Sequence, residues 1–287
     1  MLVFDIETGP LSDEELQKRV DPFEAPQHPG QFDESSVKLG NLKDAEKIRQ
    51  KIDEAKQRHA ESVAKYEADV KAARSAWWGN AVSRAPLSPL TGRIVAIGYL
   101  NTGSGVVALD IQDDEQAMIQ RWFTQYNKCR DLNRKMAGHN INSFDVPFIV
   151  RRAWLLGCDV PQTILDRGRY LDSTFVDTMQ LWGVGNREPV KLDVVAQAFG
   201  VGGKPDGVNG AMFAGLLKTD RPTAEKYLEN DLQMTAAVAQ RMGQPFRHFD
   251  TPNGRQQFSI GLGHLSRQAE HGNPRTDQSD VGVTLSA

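Results

Sequence analysis

The chain begins with a short apolar run that leads directly into two carboxylates. Leu2, Val3 and Phe4 have the composition of a buried strand, predicted over residues 2–6. Asp5 and Glu7 stand one residue apart, and because side chains alternate across a strand, we expect both on one face, at one strand end. Two carboxylates this close are costly unless a cation neutralises them. The sequence therefore predicts a metal-binding strand.

Two later segments carry the remaining candidate acids. In residues 138–145, GHNINSFD, a short apolar strand ends and Asp145 stands where a helix is predicted to begin. In residues 227–231, YLEND, Tyr227 lies one helical turn before Asp231, so the two side chains share a helix face. Mg²⁺ and Mn²⁺ prefer oxygen ligands, and two such ions about 3.5–4 Å apart can promote phosphodiester hydrolysis. The carboxylates and the tyrosine in these three segments suit two-metal hydrolysis of a phosphodiester.

These segments resemble the Exo I, Exo II and Exo III motifs of the DEDD superfamily of 3′–5′ exonucleases. Asp5 and Glu7 match the first motif, and Asp145 matches the second. Tyr227 and Asp231 match the third motif in the tyrosine form that marks the DEDDy branch. The resemblance implies that the chain is a metal-dependent nuclease.

The middle segment is the most specific part of the resemblance. Residues 139–148, HNINSFDVPF, closely resemble the same motif in the proofreading exonuclease domains of B-family DNA polymerases. The resemblance covers roughly residues 1–9 and 92–243, with a long insertion after the first motif. It implies a ribonuclease H-like fold, an α/β architecture in which helices flank a mixed sheet.

The resemblance also implies a role for each motif residue and two Mg²⁺ or Mn²⁺ ions as cofactors. Asp5 would bridge both ions. Glu7 and Asp231 would complete the site that activates water, and Asp145 would hold the second ion, partly through water. Tyr227 would orient the attacking water, because a free tyrosine has a pKa near 10 and is a poor base.

Four neighbouring residues are candidates for substrate contact. By resemblance, Asn140 would touch the sugar-phosphate backbone and Phe144 would lie against a terminal base. Thr8 and Asn142 are assigned to the same substrate-binding group. Stacking on an aromatic ring tolerates any base, which suits an exonuclease without sequence preference.

Several of these residues also have structural interpretations. Asp145 could be a simple helix N-cap, and Phe144 could be a packing residue. His139 after an apolar strand is expected to be a structural group rather than a metal ligand. Asp177 ends a predicted strand and is the alternative acid. The loop Lys204–Gly210 is a weak candidate for phosphate contact.

Composition limits the partners and the compartment. The net charge is −3, so the chain carries no overall basic signature for nucleic acid. We expect it to hold single-stranded DNA or DNA 3′ ends locally, with RNA as the alternative polymer. Two cysteines without ligand spacing, no apolar membrane span and a catalytic strand that begins at residue 2 predict a cytoplasmic protein without a membrane partner.

The function expected from these features is a 3′–5′ exodeoxyribonuclease that releases nucleoside 5′-monophosphates, in DNA repair, replication or mobile-element processing. An exoribonuclease of the same superfamily is the nearest alternative. A noncatalytic nucleic-acid-binding protein or an adaptor on the same fold is the alternative from another class.

Beyond the first strand, the pattern predicts four strands and five helices. The strands are expected at 93–100, 106–110, 136–139 and 175–177, with a hairpin turn at residues 101–105. The helices are expected at 41–74, 113–129, 145–156, 190–199 and 222–242. Residues 1–243 are expected to form one domain, and 244–287 a flexible tail.

Residues 10–90 form a charged insertion within that domain. Its predicted helix, 41–74, carries an apolar stripe at steps of three and four residues from Leu42 to Val70. We expect the stripe to pack against this domain or against a second copy of the chain. The insertion is also expected to lie beside the substrate groove and to limit which strand ends enter. The same helix is the candidate surface for a replication or repair partner.

Overall fold

A computed structural model of the chain describes residues 1–165, 172–184, 186, 188–203 and 209–243. In this part the fold is mixed α/β, with one sheet of five strands flanked by helices. The strands are β1 (Leu2–Pro10), β2 (Gly92–Asn101), β3 (Val106–Asp110), β4 (Met136–Gly138) and β5 (Phe175–Asp177). The helices are α1 (Asp13–Gln17), α2 (Ala45–Arg84), α3 (Glu115–Asp131), α4 (Asp145–Leu155), α5 (Thr178–Gly183), α6 (Leu192–Ala198), α7 (Gly210–Thr219) and α8 (Arg221–Arg241). The predicted tail, 244–287, lies outside the described residues.

The sheet has the strand order β3-β2-β1-β4-β5, with β1 in the centre. Strands β1, β2 and β3 pair antiparallel, and the β2–β3 hairpin is present as predicted. Strand β4 pairs parallel with β1, and β5 pairs parallel with β4. Each of these two strands has three residues. The sheet is therefore mixed, and its central strand is the one that carries the first two candidate acids.

The alternation of side chains along β1 divides the core between the two faces of the sheet. Phe4 and Ile6 pack into the largest apolar cluster, together with residues of α3 and α4. Val3 packs on the opposite face, with residues of α8 such as Leu232. Asp5 has the same strand parity as Val3, so the face that carries the acids is the one that α8 covers.

Strand β1 is longer than the sequence predicts. It continues past Glu7 to Pro10 and pairs with β2 along its whole length. The pairing shifts between Glu7 and Thr8, where an irregularity interrupts the ladder. Asp5 and Glu7 consequently lie in the middle of the strand rather than at its end. The additional partner, β2, explains the difference, because pairing with a neighbour extends a strand beyond its apolar run.

Helix α2 is also longer than predicted. It spans 40 residues, from Ala45 to Arg84, and includes Trp77 and Trp78, where the insertion's helix was expected to have ended. At 1.5 Å per residue it is about 60 Å long. No proline interrupts it before Pro86, which lies in the following 3₁₀ turn. We call residues 18–84, which contain α2 and the segment before it, the arm.

The apolar stripe of α2 is covered in part by the segment that precedes it in the same chain. None of the forty helix residues, all of which the structure describes, is buried. The Tyr66 hydroxyl donates to the carbonyl of Pro26 at 3.1 Å. Three ring pairs hold the segment against the helix: Phe23 with Trp77, His28 with Tyr66, and Phe32 with His59. Part of the stripe therefore packs against the preceding segment of this chain.

The residues that flank the arm on either side are attached to the strand that carries the acids. Leu16 and Ala85 are buried together with Leu11, which follows directly on β1. The Thr8 hydroxyl donates to the carbonyl of Pro86 at 2.9 Å. Among the described helices, none has the length and apolar composition needed to cross a bilayer.

Removing the Tyr66 ring should release the segment that covers α2. Tyr66→Ala loses a ring contact and the hydrogen bond to Pro26, so amide exchange should accelerate in residues 21–40 while the strands keep their protection. The exposed neighbour Glu67→Ala is the matched control. Hydrogen exchange with mass spectrometry checks this, and unchanged exchange in residues 21–40 would show that other contacts hold the segment.

A candidate metal centre on the central strand

Three carboxylates from two distant parts of the sequence meet on one face of the sheet. Asp5 and Glu7 come from β1, and Asp231 comes from α8. One oxygen from each lies within 4.8 Å of an oxygen of each of the others, so the group could hold a metal ion. The side chains of Glu7 and Asp231 are buried. Two buried acids facing a third require neutralisation by a cation or by protons.

Close contact between α8 and the sheet brings Asp231 to this position. A Cβ at Gly98 of β2 would lie 2.8 Å from Leu232 and 2.9 Å from Leu228, so this strand position requires glycine. The helix begins after Asp220, whose side chain accepts the N–H of Thr223. The close packing at Gly98 and the helix start after Asp220 set how near α8 lies to β1 and which of its residues face the strand. They therefore set the position of the Asp231 carboxylate.

Tyr227 lies one turn before Asp231 on the same helix face, as the spacing predicts. Its side chain is buried, and burial raises the pKa of its hydroxyl well above the ordinary value of 10. The charges of Asp231, Glu7 and Asp5 raise it further, as does the hydrogen bond to Asp231. The phenol therefore keeps its proton at every physiological pH and can act by donating and orienting, not as a base.

The Asp145 carboxylate lies at the edge of β1. Its Oδ1 accepts the backbone N–H of Ile6, the residue between Asp5 and Glu7, at 3.1 Å. The backbone amides of Leu2, Phe4 and Ile6 point to the β4 side of β1. Because β4 ends at Gly138, the Asp145 carboxylate accepts the Ile6 amide in place of a strand carbonyl. Asp145 is outside the group of three that lie within 4.8 Å of one another.

Helix capping is not the role of the Asp145 side chain. The N-cap of α4 is Phe144, which makes no side-chain cap. Burial raises the pKa of Asp145 to about 7, although the hydrogen bond from Ile6 acts in the opposite direction. A carboxyl that is buried and hydrogen-bonded to the strand between Asp5 and Glu7 is a candidate ligand for a second cation.

Asp177, the alternative acid, has a structural role. Its carboxylate accepts four backbone N–H groups and is buried. Two belong to the loop before α4, at Asn140 and Asn142, with 2.9 Å for each bond. The other two, at Met179 and Gln180, cap α5. Since both oxygens are occupied, Asp177 positions the loop that leads to Asp145.

Three residues of that loop, Asn140, Asn142 and Phe144, are the expected substrate contacts. Asn140 adopts a left-handed backbone conformation, with φ of +65°, which asparagine tolerates better than most residues. The Asn142 amide donates to Gln180 at 2.9 Å. Phe144 is half-buried against Phe148, with ring centroids 5.5 Å apart, so packing accounts for one side of its ring. Their contact with substrate stays a prediction.

Thr8 and His139 are two further residues to which the sequence analysis assigns a role. The hydroxyl of Thr8 already donates to Pro86, so a direct substrate contact from it would have to replace that bond. The ring nitrogens of His139 lie 2.9 Å from the Thr178 hydroxyl and 2.8 Å from the Val190 carbonyl. This agrees with the structural role expected for the histidine.

Gly210, at the start of α7, is a site residue that the sequence analysis missed. A Cβ built on it would lie 3.6 Å from Oε2 of Glu7 and 3.7 Å from the hydroxyl of Tyr227. Helix α7 was not predicted, because Gly210 was grouped with the loop Lys204–Gly210, of which 204–208 lie outside the described residues. The run AMFAGLL after it was the available signal for a helix.

The donor set fits a hard divalent cation. It consists of carboxylate oxygens, with no Cys or His among the three groups that meet. Oxygen ligands of this kind suit Mg²⁺ and Mn²⁺ and do not favour Zn²⁺, which takes nitrogen and sulfur ligands. Asp5, Glu7 and Asp231 would hold such an ion.

Comparison with known proteins finds only distant likeness among solved structures. No protein-family model matches the chain, and no curated protein matches it. Among solved structures, it is similar to the family B DNA polymerase from the hyperthermophilic archaeon Pyrobaculum calidifontis, at 23% sequence identity and a TM-score of 0.45. The match covers 56% of this chain and 23% of the polymerase chain.

Replacing Asp145 should stabilise the metal-free protein at alkaline pH. Its folded-state pKa of about 7 is above the ordinary 3.8, so the folded state binds the proton more tightly and stability falls as pH rises through this window. Asp145→Asn keeps an oxygen for Ile6 and removes the charge. At about 1.4 kcal/mol per pKa unit, the gain at pH 8 should be roughly 2–4 kcal/mol.

Urea unfolding in EDTA at pH 4 and pH 8 measures this effect. The difference between variant and wild type should be small at pH 4 and large at pH 8. Asp177→Asn is the contrasting variant, which should lose stability at both pH values because its backbone donors lose an acceptor. A variant Asp145→Asn that is less stable than wild type at pH 8 would contradict the argument.

Proposed function

We propose that the chain is a divalent-metal-dependent 3′–5′ exonuclease that shortens DNA from its 3′ end. The observation that carries the proposal is the meeting of Asp5, Glu7 and Asp231, with Tyr227 one helical turn before Asp231. The motif order supports it, because each residue occupies its place in the DEDDy pattern. The strand order, with β1 central and β2 antiparallel to it, supports a ribonuclease H-like assignment of the fold.

In the proposed reaction a water molecule attacks the phosphorus of the last phosphodiester. The bond between phosphorus and O3′ of the preceding nucleotide breaks, and its electron pair leaves with O3′, which then takes a proton. The products are a nucleoside 5′-monophosphate and a strand that is one nucleotide shorter, with a new 3′ hydroxyl. Bound Mg²⁺ or Mn²⁺ would supply Lewis-acid stabilisation of the charge on the attacking and leaving oxygens.

The residues of the chain have distinct tasks in this scheme. Asp5, Glu7 and Asp231 would hold the first ion, and Asp145, at the strand edge, would contribute to the second. Tyr227 donates from its hydroxyl and orients the attacking water. A tyrosine with the ordinary pKa near 10 is a poor base, so its proposed contribution is to position the nucleophile.

DNA is the preferred polymer because the middle motif resembles the DNA polymerase group. The substrate end would lie against the loop of Asn140, Asn142 and Phe144, which Asp177 holds in place. The backbone at Thr8 would lie close to the same end. An exoribonuclease is the alternative within this chemistry, and the assay below separates the two by substrate.

The test uses purified protein with single-stranded DNA and RNA, each labelled at the 3′ or the 5′ end. With Mg²⁺ or Mn²⁺, a 3′ label should be released at once as a mononucleotide, while a 5′ label should give a ladder of shortening strands. EDTA should stop both. Release of the 5′ label first, or internal cleavage, would contradict a 3′–5′ exonuclease, and a preference for RNA would select the alternative.

Substitutions of the site residues should separate metal binding from water positioning. Asp5→Ala and Asp231→Ala should abolish hydrolysis, because each removes an ion ligand. Tyr227→Phe should keep Mn²⁺ binding and lower the rate by roughly 10²–10⁴-fold, the usual range for such groups. Glu229→Ala, an exposed acid on the same helix, is the control and should retain full activity. Full activity in Asp5→Ala would end the proposal.

A further inference from the structure

The start of α7 lies next to the acid site. Helix α7 has ten residues and packs across β1, where a Cβ at Gly9 would lie 2.9 Å from Cβ of Ala214. Its first residue, Gly210, reaches the acid site. The positive end of the helix dipole therefore lies beside the Glu7 carboxylate, which favours this packing.

Gly210 stands opposite the two groups that the proposed reaction needs for its nucleophile. A Cβ on Gly210 would lie 3.6 Å from Oε2 of Glu7 and 3.7 Å from the hydroxyl of Tyr227. Both distances are ordinary van der Waals contacts, so alanine would fit without displacing either group. The methyl group would, however, fill the space from which a water molecule can form hydrogen bonds to both oxygens.

We infer that Gly210 is a positioning residue whose missing side chain leaves room for the attacking water between Glu7 and Tyr227. This inference rests on the proposed exonuclease function and extends it to a residue outside the three motifs. Gly210 is not required for backbone conformation, since its φ lies outside the left-handed region that favours glycine. Its small size therefore matters for the space it leaves.

The same helix supplies a matched control. Gly215 lies one and a half turns further along α7, and a Cβ on it would meet nothing within 4 Å. Gly210→Ala and Gly215→Ala make the same chemical change in the same helix. Neither should destabilise the helix, because alanine has the higher helix propensity, with the larger gain at the interior position 215. The two variants differ in whether the new methyl group faces Glu7 and Tyr227.

The experiment compares wild type, Gly210→Ala and Gly215→Ala on a 5′-labelled single-stranded DNA oligonucleotide with Mn²⁺. Gly210→Ala should lower kcat by about 10²-fold, the scale for a nucleophile displaced by about 1 Å. Its KM for the oligonucleotide and its calorimetric affinity for Mn²⁺ should match those of Gly215→Ala, and its thermal midpoint should be no lower than that of wild type. Gly215→Ala should turn over like wild type.

Each other result would overturn the inference. If kcat of Gly210→Ala lies within about twofold of Gly215→Ala, the space is not used by the nucleophile. If KM rises while kcat is unchanged, the glycine makes room for substrate instead. If Mn²⁺ affinity is lost, the methyl group disturbs the ligands. Inactive wild type on DNA and RNA would reject the proposed function itself, and with it this inference.

Discussion

Repulsion among three carboxylates is the constraint on which the rest of the structure depends. Asp5, Glu7 and Asp231 lie within 4.8 Å of one another. At an effective dielectric constant of about 20, two unit charges at that distance repel by roughly 3–4 kcal/mol. Three such pairs approach the whole folding free energy of a typical domain, about 5–15 kcal/mol. The fold must hold the group together against this repulsion, which a cation or protons would relieve.

The fold holds the acids together through strand pairing and through the packing of helices on the sheet. Two acids lie within the central strand, which has partners on both sides. Asp231 lies on α8, which Gly98 allows to approach the sheet closely. Asp145 comes from a helix on the other face and is tied to β1 by the amide of Ile6. The site therefore forms when strand pairing and helix packing on both faces are complete.

Much of this arrangement could be predicted from the sequence because it depends on local pattern. The apolar run before Asp5, the spacing of Tyr227 and Asp231, and the hairpin at residues 101–105 are short-range signals, and the structure contains each feature. The ends of β1 and α2 could not be predicted, because strand pairing and helix propagation decide them. The roles assigned to the acids stay predictions.

The structural role of Asp177, named from the sequence as the alternative acid, and the place of Gly210 depend on contacts between distant segments. Asp177 has the sequence context of a metal ligand, and its four backbone donors come from two segments that meet after folding. Gly210 looks like a loop glycine until α7 places it against Glu7 and Tyr227. A sequence pattern identifies residue types suited to a reaction, whereas tertiary packing decides which of them face the reacting atoms.

The most direct test of the central claim is an anomalous difference map from crystals soaked in Mn²⁺, collected on both sides of the manganese absorption edge. The account predicts a peak bounded by Asp5, Glu7 and Asp231 that disappears in Asp231→Ala crystals. An empty site at Mn²⁺ concentrations well above 1 mM, with the three carboxylates in place, would show that the group is not a metal centre.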